Sequence, residues 1–257
     1  MTETRTGSAS HTDRLGVVRE HAEGTPATEW AAWDRRFEPV DLTGWDDVLV
    51  VAPHPDDEVL GVGGLMSHLV SLGAHVEVAA VTDGSAAYPR SRSVTPTELA
   101  DLRVRESQAA CAVLGVDPPR RLGLPDGDLA RQVPQLERLL AELLRPGMRC
   151  LATWAADGHP DHEAVGRAAS AACRRTGAVL VEYPVWMWHW ASPDDWAVPW
   201  HRARVLALPP EVRLAKRRAV AEFVSQISPL SDDPTDAAIL PPFVLERLVR
   251  DHETVLV

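Results

Sequence analysis

Cysteine is scarce. Three residues in 257, Cys111, Cys150 and Cys173, lie far apart and in apolar settings. That pattern excludes a disulfide scaffold and a C-x-x-C motif, and it predicts buried free thiols in a reducing compartment. Long apolar runs are also missing. None approaches the roughly 20 residues a membrane span needs. Basic charge is short, with 26 Lys and Arg against 37 Asp and Glu and a net charge of −11. Such a balance excludes nucleic acid and anionic membrane surfaces as natural partners. There is no G-x-x-x-x-G-K phosphate loop and no internal repeat. The opening MTETRTGSASHTDR lacks the apolar centre of a secretory signal, so a cytoplasmic location is expected.

What is present suits a soluble globular protein: 45% apolar and 25% charged residues. Short apolar β-branched runs alternate with segments of helical periodicity. This predicts an α/β fold, a Rossmann-like, doubly wound and mostly parallel sheet with helices on both faces. Residues 1–24 read as a mobile tail and 25–257 as a single α/β domain. Within it, 25–45 form an N-terminal arm whose helix starts at Thr25-Pro26.

The chemistry concentrates in two stretches. Val48 to Ala52 reads as a buried strand, and His54-Pro55-Asp56-Asp57-Glu58 follows it immediately. A helical pattern (Val59, Leu60, Val62, Leu65, Met66, Leu69) comes next. One imidazole and three carboxylates therefore crowd a strand-to-helix junction, where α/β sheets bind ligands. A bound cation is the direct remedy for their repulsion. The competing reading is an acidic, solvated helix start. His159-Pro160-Asp161-His162 lies at a second junction of the same kind, between a strand ending at Trp154 and the helical pattern Ala164–Arg175. In a parallel sheet such junctions share one edge, so the two clusters can meet. Two histidines and a carboxylate, with water in the fourth position, form the donor set of an open catalytic zinc site.

HPDDE followed by Gly63-Gly64, with HPDH about a hundred residues on, resembles the PIG-L/LmbE-type deacetylases. These are zinc-dependent enzymes that remove an N-acetyl group, most often from glucosamine-containing substrates. The resemblance covers about Asp47 to the C-terminus. It implies one Zn²⁺ per chain on His54, Asp57 and His162; other divalent metals suit the same ligands. It leaves Asp56 as the general base and His159 as a holder of the oxyanion, with either of the two able to protonate the leaving amine. Glu58 is expected to brace the loop through backbone hydrogen bonds. Asp161 either orients a histidine from behind or caps the following helix.

Three further residues are candidates for substrate contact. Arg103 and Glu106 match an Arg-x-x-Glu of the family, and also the spacing of a surface ion pair. Asp126 lies in Pro-Asp-Gly, a turn in its own right. Asp83 ends a strand at the carboxyl edge, and equally suits a turn before Gly84. Lys216 and Ser225-Gln226 resemble a family K…SQ pattern. Family members that place a mobile tyrosine just before the second motif have no counterpart here, since only Tyr88 and Tyr183 exist. Five tryptophans fall between 186 and 200, as a ligand wall, an interface or a local core.

The implied substrate is a small N-acetylated amino sugar or a glycoconjugate containing one. The alternatives are an amidase acting on a larger N-acyl conjugate and, in another class, a non-catalytic carbohydrate-binding module. Oligomeric state is left open, and a homo-oligomer is compatible with the sequence.

Overall fold

The computed structural model describes residues 24–257. The expected 1–24 tail lies, but for Gly24, outside them. In chain order the elements are α1 (Ala27–Ala32), β1 (Glu38–Pro39), β2 (Asp47–Ala52), α2 (Asp57–Ser71), β3 (His75–Ala80) and α3 (Pro96–Leu114). Next come β4 (Arg120–Arg121), α4 (Leu129–Leu143), β5 (Arg149–Thr153), α5 (Pro160–Thr176), β6 (Val179–Tyr183) and α6 (Met187–Trp190). The rest comprises β7 (Ala203–Ala207), α7 (Pro210–Ala221), α8 (Val224–Ile227), α9 (Pro242–Leu248) and β8 (His252–Leu256).

The strands form one sheet in the order β1-β7-β8-β6-β5-β2-β3-β4. All neighbours are parallel except β8, which runs antiparallel to β6 and β7. The expected doubly wound, mostly parallel sheet is therefore present. Strand β2 is buried on both faces because its alternate residues serve two cores. Val48 and Val50 pack with Leu65 and Met66 of α2 and Leu114 of α3. Leu49 and Val51 face the opposite layer, with Leu136 and Leu140 of α4 and Val165 and Ala169 of α5. A continuous apolar run is what such a strand requires.

The chain leaves β2 for β3 on one side and later returns through β5 on the other. That reversal opens a crevice at the carboxyl ends of β2 and β5, where loops diverge and ligands bind in open sheets. His54-Glu58 follows β2 and His159-His162 follows β5.

Helix α2 is not regular. Val62 has φ −139° and ψ 20°, which breaks the ladder inside the helix. The broken groups find side-chain partners. Glu253 of β8 accepts from the backbone N–H of Gly64 (2.7 Å) and Leu65 (2.6 Å). Lys216 of α7 donates to Leu60 O (2.9 Å) and to Glu253 Oε1 (2.6 Å). Lys216, the only lysine in the chain, is buried. Burial lowers its ammonium from the ordinary value, and Glu253 opposes the shift. The glycines of α2 permit close approach, as expected. A Cβ on Gly61 would stand 2.3 Å from the Tyr183 ring, and one on Gly64 2.7 Å from Leu208.

Several local expectations are corrected. Pro26, not Thr25, caps α1, and the Thr25 hydroxyl donates to Ala191 O instead. Strand β4 has only two residues. The chain stops being helical at Ala221 and restarts at Val224, so α7 and α8 are separate helices. The tryptophans of 186–200 are mainly core. Trp188 and Trp200 join Trp30, Trp33 and Phe37 of the arm in an aromatic cluster, while Trp196 is 83% exposed.

This packing can be tested by stability measurements. Lys216→Met strands the buried Glu253 carboxylate and should lower unfolding free energy by about 3–5 kcal/mol. The same change made on a Glu253→Gln background should cost clearly less, as read by urea denaturation. Gly166→Ala places a methyl 2.6 Å from Thr153 O and 2.7 Å from Ala155 N. These are backbone atoms that cannot swing aside, so a loss of about 1–3 kcal/mol is expected in the same assay.

Candidate metal centre and active site

The first motif is delivered by β2 and closed by α2. Asp56 caps α2 at φ 124°, a region L-residues rarely adopt. Strain of that kind costs of order 1–3 kcal/mol and is retained where surroundings over-determine it. The surroundings here are charged. Arg103 is buried and donates from Nη2 to Pro55 O (2.7 Å) and Asp56 Oδ2 (3.1 Å), and from Nη1 to Gly84 O (3.0 Å). Glu58 accepts from the Asp56 N–H (3.1 Å) and from the Ser107 hydroxyl (2.8 Å). The loop is thus braced from both sides.

Asp57 Oδ2 is the point of convergence. It accepts from the His54 N–H (3.0 Å) and lies 3.1 Å from His54 Nδ1 and 3.2 Å from His162 Nε2. His54, Asp57 and His162 offer donor atoms that all lie within 4.8 Å of one another. His162 Nδ1 meets Asp157 Oδ2 at 2.8 Å. Its Nε2, fully buried, has no aligned hydrogen-bond partner among the described residues. An imidazole held by a carboxylate on one nitrogen, with the other aimed at a second carboxylate, is the arrangement of a metal-ligating histidine.

A second set, His54, Asp126 and Asp161, also meets the distance requirement, through the other nitrogen of His54. Its carboxylates have other work. Asp161 accepts from Gly127 N (2.8 Å) and Leu129 N (3.0 Å), and Asp126 from Ala86 N (2.7 Å). They lie 3.3 and 3.1 Å from His54 Nε2, which leaves Nδ1 facing Asp57. This second set orients His54. The first set is the one that brings two imidazoles to a single carboxylate, with His162 Nε2 making no aligned hydrogen bond.

The electrostatics agree with this division. Burial alone would lower the histidines. The Asp126, Asp161 and Asp57 contacts outweigh it at His54, which is held well above the ordinary imidazole value. At His162, Asp57 and Asp157 do the same, up to about 9. Burial pushes Asp57 up, but the two imidazoles prevail and hold it well below the usual carboxylate range. Burial carries Asp56 to about 8, with Arg103 pulling it down and Asp57 and Glu58 pushing it up. Glu58 reaches about 7 by burial against the hydrogen bond from Ser107. The cluster favours positive charge on and between its imidazoles, which is where a metal ion supplies it.

His159 caps α5, its Nδ1 accepting from the Asp161 N–H (3.3 Å). The ring proton of neutral His159 is therefore on Nε2. The ring stands 5.1 Å from that of His54 and 4.8 Å from that of His162, centroid to centroid. His54, Asp56, Asp57, Arg103, Asp126 and His159 all line one cavity of about 460 Å³.

The structure corrects four expectations about single residues. Asp161 does not cap α5; His159 does. Arg103 makes no surface pair with Glu106, which instead accepts from Ser225 N (2.7 Å) and Ser225 Oγ (2.6 Å). Asp126 spends both oxygens on His54 and Ala86 rather than offering them to hydroxyls. Asp83 is turned away, paired with Arg121, and does not line the cavity. Both tyrosine hydroxyls are engaged elsewhere, Tyr88 with Ser225 O and Tyr183 with Val51 O, so neither stands in for the family's mobile tyrosine.

Asp157 was missed. Besides holding His162, it accepts from the backbone N–H of Val185, Trp186 and Met187 at 2.9–3.0 Å. In sequence it is one acid in a loop, and only its place five residues before His162 marks it.

Residues 49–173 match the profile of the family described as PIG-L: GlcNAc-PI de-N-acetylase. Over that stretch, just under half of the chain, the sequence resembles the PIG-L family. It is 32% identical over 157 residues to a 1D-myo-inositol 2-acetamido-2-deoxy-alpha-D-glucopyranoside deacetylase of Mycobacterium sp. (strain KMS), a match covering 50% of each protein. It is 33% identical over 123 residues to the diacetylchitobiose deacetylase of Thermococcus kodakarensis, covering 46% of each. The chain thus spans about half the length of the curated relatives it matches. Among solved structures, a conserved protein of Thermus thermophilus superposes with a TM-score of 0.54 at 30% identity, over 71% of this chain and 80% of that one.

Replacing the carboxylate behind a ligating histidine typically weakens metal affinity by about 10–100-fold. Asp157→Asn should do so here, as measured by zinc competition with a chromophoric chelator. Unchanged affinity would remove His162 from the proposed ligand set.

Proposed function

We propose that the protein is a zinc-dependent hydrolase that removes the acetyl group from an N-acetylated amino sugar or glucosamine-containing conjugate. One observation carries the reading. His162 Nε2, His54 Nδ1 and Asp57 Oδ2 converge on one point, and His54 and Asp57 line the same cavity as the buried, backbone-strained carboxylate Asp56. Relatives named as deacetylases of acetamido sugars support the substrate class. The buried free cysteines support a cytoplasmic location. No described helix is long and apolar enough to cross a membrane.

His54, Asp57 and His162 would hold the ion. When bound, it polarises a carbonyl oxygen and lowers the pKa of a coordinated water to about 7. The chain supplies the remaining steps. Asp56 takes the proton of the water that attacks the amide carbon. Arg103 keeps that carboxylate aimed through the 3.1 Å contact. His159, with its proton on Nε2, donates a hydrogen bond to the oxyanion of the tetrahedral adduct. The proton on Asp56 then passes to the amine nitrogen. The C–N bond then breaks to give acetate and the free amine. Asp56 is base and then acid, and His159 is a donor of hydrogen bonds.

Chelation should abolish acetate release from N-acetylglucosamine conjugates, and added zinc should restore it. Asp56→Asn should lower kcat/KM by about 10²–10⁴-fold at unchanged zinc content by metal analysis. Acetate release that survives both treatments would overturn the reading.

A further inference from the structure

Two of the residues that line the cavity carry a buried polar atom with no hydrogen-bond partner among the described residues: Arg103 Nε and Gln226 Oε1. The first belongs to a guanidinium whose Nη groups already hold Pro55 O, Gly84 O and Asp56. The second is the carbonyl oxygen of a fully buried side chain in α8.

Every other kind of polar group on Gln226 is engaged. Its backbone N–H donates to Phe223 O (2.9 Å), and its backbone O accepts from Leu240 N (2.9 Å). Its Nε2 donates to Ser225 Oγ (2.9 Å). The neighbours fix which way round the amide lies. The N–H and Oγ of Ser225 both donate to Glu106 of α3, at 2.7 and 2.6 Å. An ionised carboxylate only accepts, so the one hydroxyl proton of Ser225 is spent there. Ser225 Oγ is then an acceptor, which claims the NH2 end of the Gln226 amide and leaves the oxygen end unmatched. The Tyr88 hydroxyl, from the loop after β3, donates to Ser225 O (2.8 Å) and holds the same turn from another side.

A buried acceptor without a donor has given up its water and gained nothing in exchange. Such groups are few in folded proteins, and one beside a ligand cavity is matched by an occupant that brings a donor. A carboxylate or an ether oxygen brings none. Arg103 Nε, in the same lining, calls for an acceptor. A hydroxyl is the group that offers both.

We propose that Gln226 is a specificity-determining residue whose Oε1 accepts a hydrogen bond from one hydroxyl of the amino-sugar ring. The inference rests on the deacetylase reading and adds a requirement to it. A sugar that lacks this hydroxyl is a poor substrate even with its acetamido group intact, because the buried oxygen is then left unpaired in the complex.

The test uses the zinc-loaded full chain with methyl N-acetylglucosaminide and its 3-deoxy, 4-deoxy and 6-deoxy analogues. Turnover is read as acetate release by the native chain, and affinity by calorimetry on Asp56→Asn. One of the three analogues should lose about 10–100-fold in both. Gln226→Met keeps the length of the side chain and removes the acceptor. It should cost the parent glycoside a similar factor, mostly in KM, and leave that one analogue unaffected. The analogue series needs no variant, so it stands even where Gln226→Met does not fold. Equal values for all four compounds would overturn the proposal and leave deacetylation standing. A Gln226→Met chain that slows the parent and every analogue alike would also overturn it, since Gln226 would then act only by propping Arg103 behind Asp56. No acetate from any compound, with affinity still lost for one analogue, would uphold Gln226 and sink the deacetylase reading instead.

Discussion

Three consecutive carboxylates, Asp56, Asp57 and Glu58, are buried at the end of one strand, and the surrounding structure has to make that tolerable. Taking an ion out of water costs several kcal/mol even after relaxation, unless it is paired and hydrogen-bonded. Each carboxylate here has its own solution. Asp57 is set between two imidazoles. Glu58 takes a backbone N–H and the Ser107 hydroxyl. Asp56 has Arg103. These solutions differ in kind, and the difference assigns the roles. The carboxylate between imidazoles stays ionised and suits a ligand. The one with the raised pKa and a single guanidinium partner can trade a proton.

The same constraint explains the outer layers. An imidazole that answers a carboxylate must itself be held, and Asp157, Asp126 and Asp161 hold the two histidines. They are in turn fixed by backbone N–H groups of Val185, Trp186, Met187, Ala86, Gly127 and Leu129. Three connections at the carboxyl edge of the sheet are therefore tied to the centre by main-chain hydrogen bonds. Asp157 is the most consequential of these links. One carboxylate holds His162 and the turn that carries Trp186 into the cavity, so the candidate metal centre and this part of the cavity lining share an anchor. Behind them, the Lys216–Glu253 pair repairs the break in α2, the helix that begins at Asp57.

The two motifs were legible because each is local: a β-branched run, then ligand-type residues, then helical periodicity. Sheet class was legible for the same reason. What escaped depends on distance along the chain. Lys216 meets Leu60 across 156 residues, and Glu253 meets Gly64 across 189. No local pattern marks either as a repair of a helix. Arg103 reads equally as a substrate contact and as half of a surface ion pair with its i,i+3 neighbour, and its fork is fixed by Pro55 and Gly84, which only the fold brings to it. Asp83 fails in the opposite sense. It sits at the right edge of the sheet, but Arg121 of the next strand claims it. The tryptophan run carries no sign of which rings face one another, so packing and ligand contact could not be separated before the fold was known.

The match to the family covers 49–173, and every reacting group of the proposed mechanism falls inside it: His54, Asp56, Asp57, Arg103, His159 and His162. Most of the apolar lining falls outside it, between 185 and 244. This split has a physical basis. The chemistry needs donors fixed to within a fraction of an ångström, and the switch point between β2 and β5 provides them from strand ends and helix starts. Substrate choice needs only a surface of suitable shape and polarity, which loops and a short helix can supply and vary. Relatives that share the first half can therefore share a reaction without sharing a substrate. The inositol and chitobiose named for two of them do not carry over to a lining built from residues 185–244.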